Sequence, residues 1–496
     1  MRRYCVLAAL AALMAASWAA LAALPAAAGA VAAGAVAATS PATSPAAGTC
    51  ASAGVCDAAV ESVSCPSARA CAASGVYADG DGKSQAFVIS ERGGRWSRAE
   101  EVPGTAALNT GRDASADAVS CPSAGNCTVS GAYKDSSRHA QVYAAAEING
   151  KWGRARELPG SAALHATSAE ALLACPSPGN CVTGGIYDVP RYTQESYLAS
   201  EAHGRWGPAR RIRGSRAFNS SQLTYLMDLS CASAGNCSAG GSYAPAGGLD
   251  DNAFVISERH GRWGRPVEVA AALDAGHSAQ VNAVSCPAAG DCTATGYYAD
   301  RHDRGQAFVV SQHDFRWGAA RPVPGLQALN VGGDAQPNAV ACASAGNCSV
   351  GGSYSQGYPP NQVEHVQAFV ASEKNGHWGA AEEVPGSAAL NQGLDAEVMG
   401  MSCPAAGDCA ATVTYLTNGY QAGVVTQVRG TWTRIRKTRG WAGIRSQGNN
   451  QIASISCASP GDCVAGGTFE SAVGEQAFLV SERGGVWGDV WQVRGF

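Results

Sequence analysis

One spacing constrains this chain more than any other feature: two cysteines five residues apart. It is met as SCPSAGNC at 120–127 and again as SCASAGNC at 230–237, SCPAAGDC at 285–292, ACASAGNC at 341–348 and SCPAAGDC at 402–409. With its variants included, the first cysteine of the pair falls at 65, 121, 175, 231, 286, 342, 403 and 457, at intervals of 54 to 61 residues. Self-similarity at such a period marks a repeat architecture in which each unit covers its neighbour's apolar face. Each copy runs from Cys-x5-Cys through a Gly/Tyr segment, a polar turn, an apolar run and Gly-x-Trp to an exit resembling Val-Pro-Gly.

Four strands per copy follow from that pattern. Val119-Ser120-Cys121 reads as a short first strand, Cys127 to Tyr133 as the second, Gln306 to Ser311 as the third and Trp317 to Val323 as the fourth. In the third strand the apolar residues are consecutive, as in Ala86-Phe87-Val88-Ile89, Ala253-Phe254-Val255-Ile256 and Ala477-Phe478-Leu479-Val480. A strand of that kind needs cover on both faces. Eight antiparallel four-stranded sheets, each sandwiched between two others, predict an all-β fold, an eight-bladed β-propeller with one Cys-x5-Cys disulfide per blade. A seven-bladed ring with a stray unit and an open stack are the alternatives. An open stack leaves bare apolar faces at its ends, and neither terminal copy has a polar face to serve as a cap. The chain starts on a first strand and ends near a fourth, so no strand exchange locks the ring.

The first fifty residues stand apart. Met1-Arg2-Arg3 opens an Ala/Leu-rich run to about Leu24, and Pro25-Ala26-Ala27-Ala28 suits a signal peptidase, so 1–28 reads as an export signal, with a membrane anchor as the alternative. Arg2-Arg3 leaves general and twin-arginine export both open. Residues 29–48, almost all Ala, Gly, Val, Pro, Ser and Thr, read as a flexible spacer, and 49–496 as the propeller. Beyond residue 50 the chain holds 33 basic and 39 acidic residues, which carries no nucleic-acid footprint.

Export makes the cysteines disulfides. With Cys5 set aside, eighteen remain and divide into nine pairs: Cys50–Cys56, Cys65–Cys71, Cys121–Cys127, Cys175–Cys181, Cys231–Cys237, Cys286–Cys292, Cys342–Cys348, Cys403–Cys409 and Cys457–Cys463. A five-residue turn between antiparallel strands brings paired Cα atoms to about 5.5 Å, and each small loop contributes about 2 kcal/mol on the chain-entropy model. Zinc is the rival reading, but zinc pairs are spaced more closely and no histidine recurs beside these cysteines.

The turn between third and fourth strands repeats as Ser90-Glu91-Arg92-Gly93-Gly94-Arg95-Trp96, Ser257 to Trp263, Ser372 to Trp378 and Ser481 to Trp487. It resembles the Asp-box hairpin of sialidase-like and other secreted propellers, although every copy lacks the aspartate and is one residue shorter before the tryptophan. The whole repeat is similar to that of secreted actinobacterial proteins carrying SCxSxGxC and QAFVxSExxGxW units. The resemblance implies a fold and no activity.

Propeller geometry puts the first-to-second and third-to-fourth turns on one rim, and the second-to-third turns and inter-blade links on the other, the usual ligand face. That face repeats Leu-Asn-x-Gly-x-Asp-Ala, which makes Asn109, Asp113, Asn330, Asp334, Asn391 and Asp395 ligand candidates, for sugar hydroxyls or for calcium, the one cofactor considered. The competing reading is that such residues bond their own turns. Asp79-Gly80-Asp81-Gly82 occurs once and reads as a solvated turn. The third copy departs most from the repeat, and its Asp188, Arg191, Tyr192 and Glu195 could supply an acid, an anion clamp and an aromatic platform. A sialidase-type site needs converging arginines; Arg112, Arg216 and Arg445 lie in linkers but form no recognisable pattern, and no Ser/His/Asp set stands out. The expected function is therefore that of a secreted, monomeric, non-catalytic binding module for carbohydrate, cell-wall material or a surface protein. The alternatives are a glycosidase or lyase on the same scaffold and a surface or adhesion protein with no small ligand.

Overall fold

A computed structural model of the protein describes residues 57–189, 193–214, 223–245, 251–357 and 364–495. The segments 1–28 and 29–48, expected to be an export signal and a spacer, and Cys50 and Cys56 lie outside them. Each repeat forms an antiparallel sheet with its strands in chain order, and the sheets of the third and fourth repeats are joined by one parallel pair, Gln194 with Leu223. In the first these are Ala58–Ser67, Ala70–Ala78, Ser84–Arg92 and a fourth strand split into Arg95–Trp96 and Glu100–Glu101. The continuous fourth strand expected at Trp317 to Val323 is likewise two pieces, Arg316–Trp317 and Arg321–Pro322. The cause is local: the Gly318 N–H turns back onto the Ser311 carbonyl at 2.9 Å and takes the next residues out of the ladder.

The tight first turn needs a left-handed residue. Glycine supplies it in seven blades, for example Gly125 (φ 70°) and Gly346 (φ 72°), and Arg69 (φ 63°) takes that conformation in the first. The Asn or Asp that follows the glycine then joins this turn to the turn between third and fourth strands. Asn126 Oδ1 accepts from Asn149 N at 3.2 Å and Asp408 Oδ1 from Arg429 N at 3.1 Å, while Gly150 N donates to Gly125 O at 2.8 Å. Both turns therefore share one rim.

Eight sheets close into a ring, an eight-bladed propeller with innermost strands Ala58–Ser67, Ala118–Ser123, Leu172–Ser177, Leu223–Ser233, Ala279–Ala288, Ala335–Ser344, Ala396–Ala405 and Gly448–Ser459. The serine of each Ser-Cys dipeptide is the inter-blade staple. Its hydroxyl accepts the N–H of the next blade's first cysteine: Ser64 from Cys121, Ser120 from Cys175, Ser230 from Cys286, Ser285 from Cys342 and Ser402 from Cys457, all at 2.9–3.0 Å. The last blade holds the first in the same way, Ser456 Oγ accepting from Cys65 N at 2.9 Å and Ser454 Oγ from Val63 N at 3.2 Å. The exit segments add a second ring of bonds, Ala155 N to Pro103 O and Ala381 N to Pro324 O at 2.7 Å, matched at the seam by Ala99 N to Arg494 O at 2.8 Å. Val60, Phe87 and Ile89 of blade 1 share one buried cluster with Val464, Leu479 and Val493 of blade 8. Closure thus uses ordinary blade-to-blade contacts and no exchanged strand. Substituting Ser456→Ala leaves the Cys65 N–H without its acceptor and is expected to lower stability by about 1 kcal/mol, read as a shift in a urea melt.

The eight described disulfides join the expected cysteines, but with Cα–Cα separations of 3.9–4.1 Å, closer than the expected 5.5 Å. The spacing is that of a narrow, non-hydrogen-bonded antiparallel pair, and it is the same where alanine (Ala174, Ala341) replaces the stapling serine: Cys231–Cys237 is at 4.0 Å and Cys403–Cys409 at 4.1 Å.

Inside each blade a glycine of the second strand faces an aromatic of the third: Gly75 and Phe87, Gly131 and Tyr143, Gly185 and Tyr197, Gly241 and Phe254, Gly296 and Phe308, Gly352 and Phe369, Gly467 and Phe478. These aromatics are at most 1% exposed. Blade 7 inverts the pair, with Val413 facing Gly423. A Cβ on any of those seven glycines would stand 1.7–2.0 Å from a backbone carbonyl oxygen in or just before the first strand, for example that of Gln280 beside Gly296.

Candidate functional site

The most repeated polar residues are spent on holding blades together. In the Ser-Glu-x-x-Gly-x-Trp turns the serine of one blade meets the acid or amide and the tryptophan of the next. Ser90 Oγ donates to Glu147 Oε1 at 3.2 Å and accepts from Trp152 Nε1 at 3.2 Å; Ser200 does the same with Glu258 (2.9 Å) and Trp263 (3.0 Å). Where glutamine replaces glutamate, Gln312 and Gln427 donate to Ser257 and Ser372 at 2.8 Å. Two of the acids also receive a guanidinium from the preceding blade, Arg92 to Glu147 at 2.9 Å and Arg483 to Glu91 at 2.5 Å.

On the opposite rim the linkers place the predicted residues. Short helices at Thr105–Leu108 and Leu326–Leu329, not legible as helices in the sequence, deliver Asn109 and Asn330. Both amides are buried and tie the linker to the start of a third strand: Asn109 Nδ2 to Ser84 O at 3.0 Å, Asn330 Nδ2 to Gly305 O at 2.8 Å, and likewise Asn391 Nδ2 to Val366 O at 2.8 Å. Asp113 pairs with Lys134 at 3.1 Å. Asp79 accepts from Asp81 N, Lys83 N and Gln85 Nε2 at 2.8–3.0 Å and so builds its own turn.

Asp334 and Asp395 share a neighbourhood at blades 6 and 7. Asp334 accepts from Gln336 Nε2 at 3.1 Å, Asp395 from the Tyr420 hydroxyl at 2.8 Å, and Glu397, which the sequence reading did not single out, from Asn338 Nδ2 at 3.1 Å. Glu364 adds a further negative charge beside both aspartates. Burial first, and then the charge of Asp395, push the Glu397 carboxyl up to about 7. Glu397 lies on an innermost strand, as do Glu61 and Asp228, and no Lys, Arg or His occurs on any of the eight innermost strands named above. In the adjoining blade 8, at the seam, burial and the nearby Asp57 and Glu61 push Glu475 up to about 7 as well.

These shifts set a pH dependence. Glu397 and Glu475 hold protons more tightly folded than unfolded, so the stability they add is present below about pH 4.5 and is lost as pH rises through about 7. Asp79 shifts the other way: burial opposes its charge, but bonds from Gln85, Lys83 and Asp81 outweigh burial, so its contribution fades as pH falls below the ordinary aspartate range. The thermal midpoint is expected to decline between pH 5 and 8, and the double change Glu397→Gln with Glu475→Gln to flatten that slope in a calorimetric series.

In blade 3, Glu195 is held by Arg211 at 2.9 Å and by the Tyr187 hydroxyl, and Asp188 by the Ser168 hydroxyl. Arg191 and Tyr192 lie outside the described residues, as does Arg216. Arg112 and Arg445 are exposed and occupy left-handed turn positions, with φ of 68° and 56°. Among the described residues no three His, Cys, Asp or Glu side chains are grouped so as to hold a metal ion, and no helix is long and apolar enough to cross a membrane. A cavity of about 280 Å³ opens between blades 5 and 6 on the disulfide rim, lined by Asp291, Ser311, His313, Arg321, Glu373 and Trp378 among others.

The class defined here is a disulfide-stapled, all-β propeller. No family model matches the chain, and no curated protein matches it. Solved structures similar to it include a prolyl endopeptidase (12% identity, TM-score 0.42, 86% of this chain and 54% of that one), a fungal fucose lectin from Aleuria aurantia with a six-bladed propeller (9%, 0.34, 66% and 97%) and a PL25 ulvan lyase (9%, 0.39, 84% and 91%). This chain spans about half the length of the peptidase.

Proposed function

We propose that the chain is an exported, monomeric, non-catalytic propeller that binds an extracellular carbohydrate, cell-wall polymer or surface protein on its linker face, after removal of residues 1–28. Eight disulfides suit an oxidising compartment. The observation that carries the reading is the acceptor-rich patch of Asp334, Asp395 and Glu397 with Gln336, Asn338 and Tyr420 at blades 6 and 7. Convergent carboxylates and amides of this kind suit the hydroxyls of a sugar polymer. Asp188 and Glu195 of blade 3 extend the polar surface of the same face.

The test is a glycan array and a cell-wall pull-down with the chain carrying residues 49–496, run with and without calcium. Retention of a defined glycan or wall fraction, weakened at least tenfold by Asp395→Asn, is the expected result. No retention of any fraction defeats the reading, and release of sugar products from a retained polymer transfers it to the glycosidase or lyase alternative. Equal binding and equal thermal midpoint with and without calcium removes the metal from the proposal.

A further inference from the structure

From the eight blade interfaces, we infer that the cavity between blades 5 and 6 is a seat for a guanidinium group, as carried by arginine. The warrant is what the chain itself places at the same position elsewhere. At the 1–2 and 8–1 interfaces the buried glutamates Glu147 and Glu91 receive Arg92 and Arg483 from the preceding blade, at 2.9 and 2.5 Å. At the 5–6 interface the glutamate is kept as Glu373, but the residue in the arginine's place is His313. That histidine turns away, its Nδ1 lying 3.1 Å from Asp291 of its own blade.

Glu373 is left as a carboxylate without its cation. It is only 8% exposed; its Oε2 has no hydrogen-bond partner, which is equally true of Glu91, Glu201, Glu258 and Glu482, but Glu373 is the one of these that lines the cavity, together with Ser311 and Trp378. Those are the groups that close on one another at the 1–2 and 3–4 interfaces, where serine joins glutamate and tryptophan. Here neither a Ser311 to Glu373 nor a Trp378 to Ser311 bond forms among the described residues, and the space between them is open. Burial pushes the Glu373 carboxyl up, with His313 and His377 opposing, so the charged form is disfavoured until a cation is seated beside it. Arg321 also lines the cavity yet makes no ion pair with Glu373, and Asp291 is engaged by His313. A planar guanidinium can donate to both Glu373 oxygens while its face meets Trp378, a geometry an ammonium does not reproduce. This inference concerns the disulfide rim and does not depend on ligand binding at the linker face.

The test is calorimetric titration of the full chain with N-acetyl-arginine amide, N-acetyl-lysine amide, N-acetyl-glutamine amide and a blocked Gly-Arg-Gly peptide. The arginine probes are expected to bind, lysine at least threefold more weakly, and the glutamine probe not at all. A peptide tighter than the single residue assigns the seat to a protein partner; equal affinities assign it to a small guanidinium compound. Glu373→Gln is expected to weaken arginine binding at least tenfold. His313→Arg, at an exposed position, is expected to fill the seat from within, abolish arginine binding and raise the thermal midpoint. The inference is overturned if arginine binds no better than glutamine, or if His313→Arg binds arginine as the parent does.

Discussion

The variant Gly75→Val is expected to lose more than about 3 kcal/mol of stability, and to regain part of that loss when Phe87→Gly is added. The first change sets a Cβ 1.8 Å from the Ala59 carbonyl oxygen and 2.8 Å from Cε1 of the Phe87 ring, and the second change removes the ring contact. The second alone removes a fully buried ring and costs about 4–6 kcal/mol, from the cavity and from a glycine in a strand. Together they copy Val413 and Gly423 of blade 7, where the same sheet is built with the large residue on the other strand. The double variant should therefore be less destabilised than the two single losses combined, by about 1–3 kcal/mol, in a calorimetric double-mutant cycle. Strict additivity would show that blade 7 tolerates its inversion for some reason outside this pair.

Full reduction of the disulfides is the other large effect. Each bridge closes a loop between cysteines six positions apart, and on the chain-entropy model contributes about 2 kcal/mol. Removing one, as in Cys121→Ala with Cys127→Ala, is expected to shift the thermal midpoint by only a few degrees. Removing the eight described bridges takes away roughly 16 kcal/mol, more than the whole stability of a typical domain, and is expected to lower the midpoint by more than about 20 °C. Equal midpoints for the single-pair variant and the reduced chain would mean that the serine staples and the third-strand core hold the ring unaided.

A large part of the fold was legible before any coordinates. Strand alternation, the consecutive apolar residues of Ala86 to Ile89, and the five-residue cysteine gap are local signals, so they give the blade, its rim assignment and its disulfides. The site was less legible. Asn109, Asn330 and Asn391 stood out by repetition, and the structure spends their amides on linker geometry. Glu397 escaped notice because it stands just past the repeated Leu-Asn-x-Gly-x-Asp-Ala phrase, at a position that is Ser115 in blade 2 and Gln336 in blade 6, although the absence of any basic residue from the innermost strands was there to be counted. The inversion of Gly and aromatic in blade 7 was also present in the sequence, but it acquires meaning only once Val413 is seen to face Gly423.

What the sequence determines by itself is the repeating unit, because each unit is made by neighbouring strands joined by short turns, as Gly241 pairs with Phe254 and Gly352 with Phe369. Which unit touches which, how the ends meet, and where a pairing fails were decided only by the tertiary structure. Ser64 finds Cys121 fifty-seven residues away, and Cys65 finds Ser456 across 391. The unfilled seat at Glu373 exists only because His313 of another blade turns elsewhere. A period in the chain fixes local geometry at every turn, whereas closure and vacancy depend on how small rotations between blades accumulate around the ring, a quantity no single repeat contains.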